Sequence, residues 1–425
     1  MAYKKFNSNI SKLISEFDSN LNKLITVRGR ILTRRKMRNF IFLDLFNGGA
    51  KIQLISSEGT DLFPGDLVEI SGTCCKSKTN ESSIKVDNFK IISRWKAKKG
   101  IKTIKYTKIY SPLKAFKFES FNINYIPYLV RKYIKEFLNN EGFLEVQTPI
   151  LCEKYNGGNS FPVKSNYLNN FLGFNRTTFE EKMQALVGIG FEKIYQIGSI
   201  FRSENEYTFL ESYSSFTNFN EGKEQVKNLL KYVVDELQKA NESFSNKTSI
   251  MISNRDWEEV DFFTELNKII KNESKENQED WKTVLKILIR EKLIIKESPS
   301  PETIAEIICG LIAKRYNCLL LINNLPVWSS PLYLEKNNST LYRTRGFFPD
   351  QIGSFEFGMQ ENNYDNFIKR EQSQKKNWDK KFIGNQDLAE VLSGGLPPMF
   401  GLGLNPDRIS KIFNKDSTID PFHEK

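Results

Sequence analysis

Between residues 24 and 94 the chain breaks into five short runs, ITVRGRIL, FIFLDLF, KIQLIS, LVEISGTC and SIKVDNFKII. Each alternates apolar with polar residues or is rich in β-branched and aromatic side chains. RRKMRN, NGG, FPGD and KSKTNES separate them, with the glycines, asparagines and charges that turns require. Five strands in about 70 residues leave no room for crossover helices, so the segment has to close as a small β-domain. An OB-type barrel is the usual five-stranded answer, with any other five-stranded β-domain as the alternative. If consecutive strands pair, Arg34, Phe42 and Gln53 share one barrel surface. An arginine for phosphate or base edges, a phenylalanine for stacking and a glutamine for a base edge suit an unpaired nucleotide. By spacing alone the plainer reading is favoured, with Phe42 in the barrel core and the arginines on a solvated edge.

A basic stretch without an acidic residue follows, RWKAKKGIKTIKYTK from Arg94 to Lys108. The pattern then changes to mixed α/β. Val130, Tyr133, Ile134, Phe137 and Leu138 fall on one helical face, as do Val226, Leu229, Leu230, Val233, Val234 and Leu237. FLEVQTPIL, YQIGSIF, SSFTNFN, CLLLINNLPV and FGLGL read as strands. Strands and helices without strict alternation argue for a mixed, largely antiparallel sheet with helices around it. The expected organisation is a barrel domain over 1–94 with a helical lead, a linker over 95–115 and an α+β domain over 116–425.

Composition narrows the chemistry. The single histidine, His423, lies at the C-terminal end, which disfavours mechanisms needing an internal histidine as base or metal ligand. Five cysteines without a CxxC make a disulfide scaffold or structural zinc site improbable. No run of about 18 apolar residues and no N-terminal apolar segment occur, so the expectation is a cytoplasmic chain without a membrane partner. A net charge of +11 points to a polyanionic partner, nucleic acid first.

Two later motifs carry phosphate chemistry. In FRSE, Arg202 and Glu204 sit two apart after a strand and share a face, although a surface ion pair is the simpler local reading. In GLGLNPDRI, a glycine-rich strand leads to Asn405 as helix N-cap and Pro406 at the first helical position. Arg408 then projects from a helix start, where an anion is favoured twice over. An ordinary capped helix is the even alternative.

Taken in order, these motifs resemble the class II aminoacyl-tRNA synthetases, most of all the lysyl enzymes and their aspartyl and asparaginyl relatives. FLNNEGFLEVQTPIL resembles motif 1, GFEKIYQIGSIFRSE motif 2, LPVWSSPL the lysyl-type strand and GGLPPMFGLGLNPDRI motif 3. The resemblance implies an OB-fold anticodon-binding domain before a class II catalytic domain. It further implies ATP-dependent, Mg²⁺-assisted activation of a lysine-like amino acid, transfer to tRNA, and a homodimer. Arg34, Phe42 and Gln53 match the trio that reads the middle anticodon uridine. Arg202 and Arg408 match the arginines on the α- and γ-phosphates, Glu204 the residue facing the adenine amine and Phe216 the ring stacked on adenine. Gly157 and Gly158 match the double glycine of the amino-acid pocket, Glu180 and Glu356 carboxylates for the side-chain ammonium, and Asp350 one metal ligand. The other metal position falls near Thr344 or Gly346.

The family's motif 2 loop carries an Arg-His pair and then Glu-Phe-Thr. Here the segment reads YTFLESYSSFT, which puts Phe209, Leu210 and Glu211 in the loop and Ser215 at the glutamate. The family's glutamate for the substrate α-amine falls on Asn220. These departures keep two alternatives open: a paralogue that passes an activated amino acid to a protein amine or biosynthetic intermediate, and a non-catalytic tRNA-binding protein.

Overall fold

The computed structural model describes residues 4–5, 10–48, 50–96, 119–152, 163–167, 170–202, 205–240, 246–270, 279–293, 300–329, 334–349, 353–377 and 386–413. Backbone contacts divide the chain into two compact units, with the boundary after Ile126.

In the first unit the five expected runs form β1 (Leu24–Met37), β2 (Phe40–Asn47), β3 (Ala50–Ser57), β4 (Leu67–Lys76) and β5 (Ser82–Ser93). They pair in the ring β1-β2-β3-β5-β4, and β4 returns to β1, so the barrel is closed. Closure removes the unpaired edges that an open five-stranded sheet would expose. Alternation decides what fills it. Ile41, Leu43 and Leu45 of β2 point inward with Val27, Ile31, Ile52, Leu54, Val68 and Ile70, while Phe40, Phe42 and Asp44 take the outer face. The short helix α1 (Ile10–Ser15) adds Ile10 and Leu13 to this core.

In the second unit the helix α2 (Glu119–Asn140) precedes an eight-stranded sheet. Its strands are β6 (Leu144–Glu145), β7 (Lys193–Arg202), β8 (Asn205–Ser215), β9 (Trp257–Asp261), β10 (Leu319–Asn323), β11 (Arg343–Phe347), β12 (Ser354–Met359) and β13 (Met399–Leu404). The order is β9-β10-β11-β12-β13-β8-β7-β6, antiparallel except for the parallel pairs at each edge. The α+β expectation therefore holds. Helix α3 (Glu180–Gly188) packs Met183 and Val187 against Ile194, Ile200 and Tyr213 on one face. Helix α4 (Phe219–Ala240) lies on the other, where Phe219 meets Phe357 and Phe400.

Two expected strands differ. FLEVQTPIL yields only Leu144–Glu145 and Leu151–Cys152, because Pro149 cannot donate to a ladder. The buried Arg176 instead takes the carbonyls of Thr148 at 2.6 Å and Pro149 at 3.3 Å. SSFTNFN stops being strand at Ser215. Asn218 caps α4 by accepting from the Glu221 N–H, and Glu221 accepts from the Asn218 N–H, a reciprocal capping box. The glycine-rich strand and its helix are as read: Asn405 Oδ1 accepts from the Asp407 N–H at 2.8 Å and α5 runs from Pro406 to Phe413.

Candidate functional site

The barrel surface departs from the expected trio by one residue. Phe42 pairs with Arg35 on one side and Ile55 on the other, and Asp44 pairs with Thr33 and Gln53. Directly paired residues share a face, so Arg35, Phe42 and Gln53 lie together. Arg34 pairs with Leu43 and belongs to the opposite alternation, where its guanidinium stacks 5.3 Å from the Phe63 ring. A β-bulge between Ile31 and Thr33 is the cause, since one extra residue reverses the alternation beyond it. Gln53 is on the right face but 7% exposed: its amide donates to Glu81 at 3.0 Å and accepts from Ser83 at 3.1 Å. It floors a cavity of about 210 Å³ lined also by Ile14, Asp44, Lys51 and Glu81. Phe42 is half-buried and Arg35 exposed, held by Asp44 at 3.5 Å.

In the second unit β7 and β8 pair without interruption from Lys193↔Ser214 to Arg202↔Asn205. Phe209, Leu210 and Glu211, expected in a loop, are therefore inside β8. This register separates Arg202 from Phe216. Phe216 follows the far end of β8, eleven residues from Asn205, the partner of Arg202, or about 36 Å at the strand rise. Both cannot hold one nucleotide. Phe216 is 74% exposed with a left-handed backbone at φ 56°, bonded through its N–H to the Pro398 carbonyl. Shifting the family triplet nine residues toward the hairpin puts Glu206, Tyr207 and Thr208 where Glu-Phe-Thr is implied, and Glu211 where Asn220 had stood. Tyr207 shares a face with Phe209, Glu211 and Tyr213.

Two rows of that face cross the sheet. Gln196, Glu211, Gly403, Glu356 and Arg345 form one, and Ile194, Tyr213, Gly401, Gly358 and Arg343 form the next. The glycines on β12 and β13 leave room for neighbouring side chains: Gln360 and the Tyr213 ring lie over Gly401, and the Phe209 ring lies over Gly403. Strands two apart place the Glu211 and Glu356 backbones about 10 Å from each other. Glu211 is 5% exposed and accepts from Thr178 Oγ1 at 2.7 Å and the Tyr213 hydroxyl at 3.3 Å. Glu180, from the start of α3, is buried and accepts from Gln184 Nε2 at 3.1 Å; the same amide group reaches Gln360 Oε1 at 3.3 Å. Burial raises the Glu180 carboxyl well above its usual range, and the charges of Glu211, Glu181 and Glu356 raise it further.

Glu356 is differently placed from the expectation of a pocket carboxylate. Its Oε1 takes Arg343 Nε at 2.6 Å, Arg345 Nε stands 3.6 Å from its Oε2, and Arg345 also reaches Glu306 at 2.9 Å. Two guanidiniums thus neutralise Glu356. The sequence reading missed Arg343, Arg345, Gln184 and Gln360; a buried polar network on four elements leaves no local motif.

Arg408 lies in the first turn of α5 and donates to the Ser354 carbonyl and, at 3.2 Å, to its hydroxyl. Gly353, at φ 145°, makes room for this side chain: a Cβ there would stand 2.9 Å from Arg408 Nε. Because β13 ends opposite Leu210, the chain beyond Leu404 continues toward the β7–β8 hairpin, so Arg408 and Arg202 belong to one end of the sheet. Gly157, Gly158, Glu204 and Asp350 lie outside the described residues, and of Arg202 only the backbone is described. Among the described residues no cluster of three possible metal ligands occurs, and Thr344 and Gly346 offer no carboxylate. No described helix is long and apolar enough to cross a membrane.

The chain thus joins a closed five-stranded barrel to a mixed, mainly antiparallel sheet with buried carboxylates on one face. A family model for tRNA synthetases class II (D, K and N) matches residues 110–422, and one for the OB-fold nucleic acid binding domain matches 25–92. The chain belongs to the class II tRNA synthetases of the D, K and N group, a ligase family. It is 25% identical to the lysine–tRNA ligase of Thermoanaerobacter pseudethanolicus, covering 94% of this chain and 86% of that one. To the lysine–tRNA ligase of Clostridium perfringens it is 26% identical, covering 95% and 87%. The crystal structure of asparaginyl-tRNA synthetase from Pyrococcus horikoshii, complexed with asparaginyl-adenylate, superposes with a TM-score of 0.73. It is 14% identical, with 95% of this chain and 94% of that chain covered.

Proposed function

We propose that the chain joins lysine to ATP as lysyl-adenylate and transfers the lysyl group to a tRNA. The observation that carries this reading is the pair of buried carboxylates Glu180 and Glu211 beside the sheet face, near the end of the sheet where Arg408 is tethered. Lysine, with its ε-ammonium, suits two carboxylates that repel each other when ionised, and lysine–tRNA ligases are among the relatives of this chain. The lysine carboxylate attacks the α-phosphorus in line and pyrophosphate leaves. Positioning and charge neutralisation by Arg202 and Arg408 lower the barrier, so no histidine is needed. Mg²⁺, when bound, would supply positive charge to the ATP phosphates. The described residues contain no cluster of three possible ligands for it.

Tyr207, on the sheet face of Glu211 and 37% exposed, is the ring proposed to stack on adenine in place of Phe216. Tyr207→Ala should raise the KM for ATP about tenfold in pyrophosphate exchange, the value of one lost stacking platform, while Phe216→Ala leaves it unchanged. The reverse result would restore Phe216. A homodimer is also proposed, since Leu144, Ile150 and Leu151 in and after the edge strand β6 are 56%, 49% and 42% exposed. Sedimentation as a monomer would remove it.

A second reading is favoured by one observation: only two residues lie between paired Arg202 and Asn205, where the resemblance implies a loop that guides the tRNA acceptor end. In it the lysyl group passes to a different amine. Lysine-dependent ATP–pyrophosphate exchange followed by label on tRNA supports the first reading. Exchange without charging supports the second, and no exchange with lysine overturns both.

A further inference from the structure

The outer face of the barrel carries one aromatic ring more than the expected trio. Phe40 opens β2 two residues before Phe42, and the pairings Phe40↔Met37, Phe40↔Ser57, Phe42↔Arg35 and Phe42↔Ile55 put both rings on one face. Phe40 is 50% exposed and Met37, beside it, 63%. A large ring kept half in water at a hairpin tip adds nothing to the core, whose β2 share is Ile41, Leu43 and Leu45. Cations surround it. Arg35 is held on this surface by Asp44, and Arg38, in the turn at φ 50°, makes no ion pair among the described residues. Flat rings interleaved with guanidinium groups match single-stranded nucleic acid, whose bases stack and whose phosphates need positive charge. The spacing fits as well. Two residues along a strand span about 6.6 Å, comparable to one phosphate-to-phosphate step of an extended single strand.

We propose that Phe40 is a second stacking platform, holding the unpaired base next to the one on Phe42, so that the barrel binds two successive bases of an RNA loop. This rests on the reading of the barrel as a tRNA-binding face. Direct stacking also predicts that Phe40 contributes through its ring rather than through charge, so it should not alter the salt dependence of binding.

The test titrates a fluorescein-labelled anticodon stem-loop of lysine tRNA with the full chain, followed by anisotropy at several stated salt concentrations. Phe40→Ala and Phe40→Leu should each weaken binding about tenfold with an unchanged salt slope. Arg38→Ala should lower the slope by about one. Phe40→Trp should bind at least as well as the parent and show quenched tryptophan emission as a base stacks on it. Because Phe40 lies outside the core, the melting curves of these variants should overlay the parent's. If Phe42→Ala weakens binding and Phe40→Ala does not, the second platform is refuted while the tRNA-binding face stands. If the parent chain fails to bind the stem-loop, the underlying reading falls and the platform with it.

Discussion

Arg408→Ala is expected to lower the rate of lysine-dependent ATP–pyrophosphate exchange about a hundred- to a thousandfold, with the fold intact. The magnitude is that of removing one preorganised donor from a developing phosphate charge. The preorganisation is visible. Helix α5 is capped by Asn405, Pro406 fixes its first turn, and the side chain is pinned to Ser354 across a glycine that leaves room for it. Arg408→Lys should recover little, because a compact ammonium cannot donate to Ser354 and a phosphate in the same forked geometry. Circular dichroism melts would separate this from unfolding, since the side chain contributes nothing to the apolar cores. Unaltered exchange in Arg408→Ala would take the phosphate role away from this residue and leave α5 as a plain capped helix.

How far the sequence could be read depended on whether the decisive contact was local. The barrel strands were legible because alternation is a local signal and closure follows from five short strands with short turns. Arg34 was chosen over Arg35 because a bulge has no signature in a run such as ILTRRK. Counting by twos from Ile31 is right up to that point and wrong after it. The β7–β8 turn was missed for a similar reason. SEN between strands lacks the glycine or proline that marks a turn, and the Phe216–Thr217 pair matches the family's Phe-Thr as well as Tyr207–Thr208 does. The Asn218–Glu221 capping box was a readable sign that the strand had ended by then. Glu180 was found from the resemblance, but its partners were not. Glu211 and the Arg343–Glu356–Arg345 cluster meet through sheet register across residues far apart in the chain, and Gln184, one turn on along the same helix, belongs to no motif.

That cluster sets the second large effect. With Glu356 neutralised by two arginines, Glu180 and Glu211 carry the recognition of a cationic substrate, and Glu211→Gln should lower kcat/KM for lysine about a hundredfold or more. The pH dependence follows from Glu180. Its folded-state carboxyl titrates well above the ordinary value of 4.5, so between these limits the folded chain holds a proton that the unfolded chain has released. Without ligand, stability is therefore highest below the ordinary glutamate range, falls as pH rises toward the raised value, and levels beyond it. Lysine reverses this trend, because its ammonium favours the ionised carboxylate: the rise in Tm produced by saturating lysine should grow across the same interval. Glu180→Gln should flatten both curves, keeping the hydrogen bond to Gln184 while removing the titration. Calorimetric scans of parent and variant across pH, with and without lysine, make the comparison. A parent whose lysine-induced shift is independent of pH would mean that Glu180 is already ionised without ligand, and that the cation is recognised by Glu211 alone.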